Sequence, residues 1–352
     1  MDAFRQLRLP AGRVDFCSND YLGITRNKLI EKELQARSAT LLSAGSTGSR
    51  LLTGNYQLIE ETEQLLARFH DAPTGLLFNS GYDANTGLLS CVPQRGDTIL
   101  YDYLIHASLR DGIRLSFAQG ISFGHNSVDE LEKKLRAATG TSFVVTESVF
   151  SMDGDLAPLE AMADLCTRYG ARLIVDEAHA TGVVGEQGAG LVQALNLQRL
   201  CFARIHTFGK ACGAHGAVVL GSGLLRDYLI NFSRPFMYTT ALPPASVAAI
   251  RASYQIFPQL GAERRHLGQL IEQFQAAFLP YKKLASHTPV QGVVVPGNSH
   301  VKEVAARIEQ EGFDVRPILY PTVPKGEERL RIVLHAFNTE KELQELIISL
   351  QT

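Results

Sequence analysis

The chain has 352 residues, 45% hydrophobic and 20% charged, enough for a large core and for two lobes. Its formal net charge of -2 gives no sign of a polyanion-binding surface or a membrane-surface patch, and no apolar run approaches the ~20 residues of a membrane span. Five cysteines form no CxxC pair, which fits free thiols in a reducing cytosol better than a disulfide framework, and the start, Met1 to Arg5, lacks the features of a signal peptide.

In chain order, a short polar leader runs into Phe16-Cys17-Ser18-Asn19-Asp20-Tyr21-Leu22-Gly23, where Asn, Asp and Gly among aromatic residues suggest an ordered turn. A helical pattern over 28–42 ends at a small-residue loop, Ser43 to Arg50, and helical periodicity resumes from Tyr56 to Phe69. Strand-like apolar runs then appear at 75–78, 98–101, 143–146, 172–175, 201–205 and 217–220. Helical patterns at 82–91, 106–117, 128–138, 158–169 and 188–195 separate them. Buried runs alternating with helices indicate an α/β fold with a largely parallel sheet covered on both faces. Ligands of such sheets bind beyond the carboxyl ends of the strands. After Pro243-Pro244 the pattern predicts a long helical stretch to about Leu279. The tail follows as strand (290–295), helix (300–311), two strands (315–319 and 330–334) and helix (340–350), a compact second lobe.

Chemistry-bearing residues cluster at the predicted strand ends. Asp176 closes the run Arg172-Leu173-Ile174-Val175, and an acid there suits a metal, a ribose or a protonated heterocycle; His179 lies three residues on. Both could instead cap the next helix. The string Asp176-Glu177-Ala178-His179 also matches the acidic motif of DEAH-type helicases, but the phosphate loop that mechanism requires is missing upstream. Asn79-Ser80-Gly81-Tyr82 follows a strand and opens a helix, so its backbone N–H groups suit a phosphate. His106 begins a helix after a strand and could cover a planar ring. Ser151 follows another strand end. Thr207-Phe208-Gly209-Lys210 sets a lysine amine between glycines just past a buried strand; in isolation it reads as a turn lysine. Cys212, two residues on, reads as a small packing residue rather than a nucleophile.

Taken together with Gly45-Ser46-Thr47-Gly48-Ser49-Arg50-Leu51 and Arg329-Leu330-Arg331-Ile332, these segments resemble the α-oxoamine synthases, pyridoxal phosphate (PLP) enzymes of the aspartate-aminotransferase fold type. The resemblance covers nearly the whole chain. Ile105 to Gly112 and Arg234 to Pro244 resemble the biotin-pathway branch of that family. It implies a fold type I architecture: a mostly parallel seven-stranded sheet in a large domain (36–245), a short N-terminal segment (1–35) and a smaller α+β C-terminal domain (246–352). It further implies that Lys210 carries PLP and moves the substrate Cα proton, that Asp176 pairs with the pyridine N–H, that His179 bonds the phenolic oxygen and that His106 stacks on the ring. Gly81, Tyr82 and Thr207 would hold the phosphate, Ser151 would contact the cofactor, and Thr240 would reach the phosphate of the neighbouring subunit in a homodimer. Asn19, Thr322 and Arg331 match positions near the amino-acid substrate, and no metal is expected.

The implied reaction is a decarboxylating condensation of L-alanine with pimeloyl-CoA or a pimeloyl carrier protein, in the cytoplasm. The family alternatives use glycine with acetyl-CoA or serine with a long acyl-CoA, and a silent partner subunit is the rival from another class. Relatives carry a few dozen more residues before the Ser-Asn-Asp-Tyr-Leu-Gly segment, including an arginine that assists acyl binding in some of them, and nothing here matches it. The family's His-Asn-Asp stands here as His125-Asn126-Ser127, a change expected at a helix cap.

Overall fold

The computed structural model describes residues 7, 9, 12–36 and 43–352. In chain order the elements are β1 (Val14–Asp15), α1 (Leu29–Ala36), α2 (Gln57–Phe69), β2 (Thr74–Phe78), α3 (Gly81–Cys91), β3 (Thr98–Asp102), α4 (Ala107–Leu115), β4 (Gln119–Phe123), α5 (Val128–Ala137) and β5 (Ser142–Glu147). There follow α6 (Leu159–Tyr169), β6 (Arg172–Asp176), α7 (Leu191–Ala194), β7 (Cys201–Thr207), β8 (Ala217–Gly221), α8 (Gly223–Phe232), α9 (Arg234–Met237) and α10 (Pro244–Ile256). The last are α11 (Gly261–Ala276), β9 (Lys282–Lys283), β10 (Val290–Val294), α12 (Asn298–Gln310), β11 (Phe313–Asp314), β12 (Arg316–Ile318), β13 (Arg329–Val333) and α13 (Glu340–Gln351). Residues 37–42 of the first predicted helix lie outside the described residues.

Contacts group the chain into two compact units, one of residues 24–150 and 156–259, the other of the residues up to Gly23, 151–155 and 260–352. The sequence reading divides the chain at 35 and 245 instead. Helix α10 packs on α1 and α2 and so falls in the larger unit.

The larger unit is built on a seven-stranded sheet of order β2-β8-β7-β6-β5-β3-β4. Strands β4, β3, β5, β6 and β7 are parallel, and β8 runs antiparallel to both its neighbours. Its central strands are buried on both faces, as the apolar runs require; Leu173, Ile174, Val175, Val144 and Val145 are fully buried. Sequence patterning passes over β4, because Gln119, Gly120 and Ser122 break the apolar run. An edge strand with one exposed margin tolerates that composition. The 188–195 pattern shrinks to the single turn of α7. Helix α8, which the pattern does not single out, starts from a Ser222 cap on the Leu225 N–H.

In the smaller unit a four-stranded sheet of order β12-β13-β10-β9 carries α11, α12 and α13. The helical stretch predicted from 244 to 279 is two helices. Pro258 interrupts it with a single tight turn at Phe257–Gln259, since proline offers no N–H to continue the ladder. Gly154 is required here: its φ is +73°, and a Cβ would meet the Val290 carbonyl at 2.0 Å.

Candidate active site

The parallel strands of the larger unit deliver the predicted residues to one edge of the sheet. Asp176 ends β6, and Glu147 ends β5 as its in-register partner. Asp176 is 4% exposed; its Oδ1 accepts the Ala178 N–H at 2.9 Å and its Oδ2 accepts Asn85 Nδ2 at 2.7 Å. Both oxygens of this buried carboxylate thus have a donor. Glu177, the next residue, faces the other way and caps α7. It accepts the N–H groups of Leu191 (3.0 Å) and Val192 (2.6 Å) and the Ser148 hydroxyl (2.7 Å). Helix capping is therefore the work of Glu177. His179 is buried in the turn that follows β6.

His106 is the N-cap of α4. Its Nδ1 accepts from the Ser108 N–H at 3.2 Å and lies 2.8 Å from Ser108 Oγ. Because Nδ1 accepts that N–H it carries no proton in the neutral ring, so the Ser108 hydroxyl, which itself accepts Asn85 Nδ2 at 3.0 Å, donates to it. The ring is thus the tautomer protonated at Nε2. Asn85 bridges Asp176 and Ser108, which links the two predicted cofactor residues in one buried network. Burial pushes the His106 imidazole below its ordinary range; Asp176 opposes that and Lys210 adds to it.

Lys210 sits half-buried on a loop between β7 and β8. The Gly213 N–H donates to the Lys210 carbonyl (2.8 Å), the Ala214 N–H to Phe208 (2.9 Å) and the Phe208 N–H to Gly216 (2.9 Å). The left-handed turn falls at Gly213, with φ +60°, whereas a Cβ on Gly209 would meet nothing within 4 Å. The glycine that the loop conformation requires thus follows the lysine. Cys212 is fully buried and burial pushes its thiol up, which bears out a packing role.

Gly81 opens α3, where Ser80 Oγ takes the Asp83 N–H and the Ser80 carbonyl takes that of Ala84. The N–H groups of Gly81 and Tyr82 have no partner within the helix. A Cβ on Gly81 would come within 2.4 Å of Thr207 Cγ2, so β7 and the α3 N-terminus touch there. Thr207 Oγ1 is buried and has no hydrogen-bond partner among the described residues. An unpartnered buried hydroxyl beside the positive end of a helix fits a phosphate group. The Tyr82 phenol is exposed and donates to Asp111. Thr240 is exposed and its carbonyl accepts Asn79 Nδ2 at 2.8 Å, just before the α3 cap.

The other predicted residues belong to the smaller unit. Arg331, on β13, donates Nε to the Ser151 carbonyl (2.8 Å) and Nη2 to Asn19 Oδ1 (3.1 Å), which also accepts the Tyr21 hydroxyl (3.1 Å). Asn19, Ser151 and Arg331 are therefore brought together. Thr322 lies on the loop beyond β12, its N–H donating to Leu319 (2.8 Å). Ser127 caps α5 by accepting the Glu130 N–H, as expected for the altered His-Asn-Asp segment. Sequence reasoning passes over Asn85, Ser108 and Glu147. Polar residues inside an apolar helix pattern, and an acid closing an apolar strand, are the signals they left.

The sequence profile described as aminotransferase class I and II matches residues 11–350. The chain belongs to that family. Within it, 8-amino-7-oxononanoate synthase of Emericella nidulans is 42% identical over 370 residues, covering 98% of this chain and 90% of that one. Serine palmitoyltransferase of Sphingomonas wittichii superposes with a TM-score of 0.89 at 29% identity, covering 96% of this chain and 86% of that one. The 8-amino-7-oxononanoate synthase of Francisella tularensis gives 0.78 at 29% identity, covering 96% and 97%. The DEAH resemblance is a coincidence of four letters.

Proposed function

We propose that the chain is a PLP-dependent acyltransferase that condenses L-alanine with a pimeloyl thioester, releasing carbon dioxide and the thiol and yielding 8-amino-7-oxononanoate. The observation that carries the reading is the strand-end cluster of Asp176, His106 and Lys210 beside the unpartnered Thr207 hydroxyl. The 42% identity over nearly the full chain supports the choice of substrates.

In this reading PLP, when bound, supplies the electron sink that accommodates negative charge at the substrate Cα. Asp176 holds a proton at the heterocycle nitrogen, for which a buried carboxylate oriented by two donors is suited. His106 covers the ring with its Nε2–H side free of the Ser108 network, and His179 bonds the phenolic oxygen. The N–H groups of Gly81 and Tyr82, with the Thr207 hydroxyl, take the phosphate, with Ser151 as a further contact and Thr240 contributed across a homodimer. Lys210 Nζ anchors the cofactor and moves the Cα proton. Arg331, aligned by Asn19 and Ser151, binds the amino-acid carboxylate, and Thr322 is a further substrate contact.

The close superposition on serine palmitoyltransferase favours one second reading, serine with a long acyl-CoA. Incubating the PLP-loaded protein with L-alanine and pimeloyl-CoA, beside serine with palmitoyl-CoA and glycine with acetyl-CoA, separates them by mass spectrometry. The expected product is 8-amino-7-oxononanoate from the first mixture alone. Product from another pair would move the substrate, and a protein that takes up no PLP would overturn the enzyme reading.

A further inference from the structure

Three acids end three adjacent parallel strands: Asp102 on β3, Glu147 on β5 and Asp176 on β6. Each has a different environment. Asp102 is fully buried and accepts the N–H groups of Leu104 (2.8 Å) and Asn126 (2.7 Å) and the His125 ring at 3.1 Å. Asp176 accepts Asn85 and the Ala178 N–H. Glu147 stands between them, 2% exposed, and its Oε1 accepts the backbone N–H of His106. That bond fixes the backbone of the proposed ring-covering residue where the chain turns into α4.

We propose that Glu147 is a positioning residue of the candidate site, which holds His106 beside Asp176 through an uncharged carboxyl group. The proposal rests on the PLP reading above for its catalytic consequence. Its physical basis is the pair that ends β5 and β6: Glu147 and Asp176 are in-register partners on adjacent strands, both buried, and two such carboxylates resist ionising together. Asp176 gathers two donors, whereas Glu147 Oε1 accepts only the His106 N–H among the described residues. Burial is the first cause that pushes Glu147 up, Asp176 the second; the His106 N–H and Lys210 pull it down, and Asp102 adds to the rise. A charged Glu147 would also favour the ammonium form of Lys210, which opposes proton abstraction by that amine. An uncharged acid supplies the hydrogen bond without that field.

The test compares Glu147→Gln, which keeps an uncharged acceptor of the same shape, with Glu147→Ala. Three quantities are read: the PLP absorption band and its pH titration, kcat/KM, and the thermal midpoint of PLP-free protein from pH 4 to 9. Displacing His106 should cost Glu147→Ala about a hundredfold in kcat/KM and move the band titration, and Gln should restore most of both. The stability arm has a definite sign. A carboxyl whose folded pKa lies above its unfolded value loses its contribution as pH rises, starting near the ordinary value of 4.5. Glu147→Gln does not titrate, so its midpoint should gain on wild type as pH climbs above that value.

A Gln variant as impaired as Ala would overturn the proposal, because it would mean that the ionised carboxylate is needed. An Ala variant with wild-type band and kcat/KM would overturn it too. So would a wild-type-to-Gln stability difference that stays flat with pH. If Glu147→Ala does not fold, the Gln stability profile decides alone. Wild-type protein that takes up no PLP would sink the functional reading, while the pH-dependent stability would still decide the state of Glu147.

Discussion

Asp176 and Glu177 are adjacent in sequence and divided in duty, since one faces the candidate cofactor site and the other ties down α7. Their separation follows from the end of β6: alternation along the strand sends successive side chains to opposite faces. Thr207 shows what a single hydroxyl contributes. Replacing it by valine keeps the volume against Gly81 and deletes one donor to the proposed phosphate. A hydrogen bond to a charged group is worth about 1.5–3 kcal/mol. Thr207→Val should therefore raise the Kd for PLP by about tenfold or more, read by titrating the cofactor absorption band, with little change in the thermal midpoint of the PLP-free protein. Asp176, His106 and Gly81 were legible because each stands at a strand end or a helix start, which local pattern marks, and Lys210 because it follows β7 on a glycine-containing loop. Asn85 was not. Its partner Asp176 is 91 positions away, and no local signal distinguishes a buried asparagine that orients a carboxylate from one that packs.

Helix α2, strand β7 and helix α10 meet around two stacked histidines. His70, the C-cap of α2, lies 3.8 Å from His206 of β7 between ring centroids. His70 has Nδ1 at 3.1 Å from the Ala189 carbonyl and Nε2 at 2.9 Å from the Tyr254 hydroxyl on α10. His206 Nδ1 lies 2.9 Å from Thr181 Oγ1, which donates to the Glu177 carbonyl and so accepts from the ring. Burial pushes His70 down to about 3 and lowers His206 as well, each helped by nearby Arg204. The folded protein thus excludes protons that the unfolded chain binds below its ordinary histidine pKa of about 6.5. Stability should be fully present above that pH and fall as pH drops toward 3, by up to about 1.4 kcal/mol per pH unit for each histidine. Thermal melts at pH 7, 6 and 5 should show this slope, and His70→Gln should reduce it. The elements themselves were mostly legible, because buried parallel strands and amphipathic helices carry strong periodicity. Edge strand β4 was not, for its polar margin hides it. The break between α10 and α11 could have been read from Pro258.

For the whole molecule, the homodimer proposal makes a test that one chain alone cannot pass. If Thr240 serves the partner's site, mixing Lys210→Ala with Thr240→Ala chains creates one site with both native residues, and activity should exceed that of either parent. A mixture no more active than its parents would place Thr240 in its own site. Light scattering should give twice the 38.5 kDa chain mass. No helix among the described residues is long and apolar enough to cross a membrane. The sequence by itself determined the alternation of strands and helices, the positions of the strand ends and the lysine, acid and histidine that stand there, because these depend on local periodicity and on motif spacing. The tertiary structure decided which strands are neighbours, that β8 runs against the rest, and that Glu147 stands beside Asp176 with Asn85 joining it to Ser108. Those facts depend on pairing between residues far apart in the chain, where hydrogen bonds and burial choose the partner and local pattern carries no record of the choice.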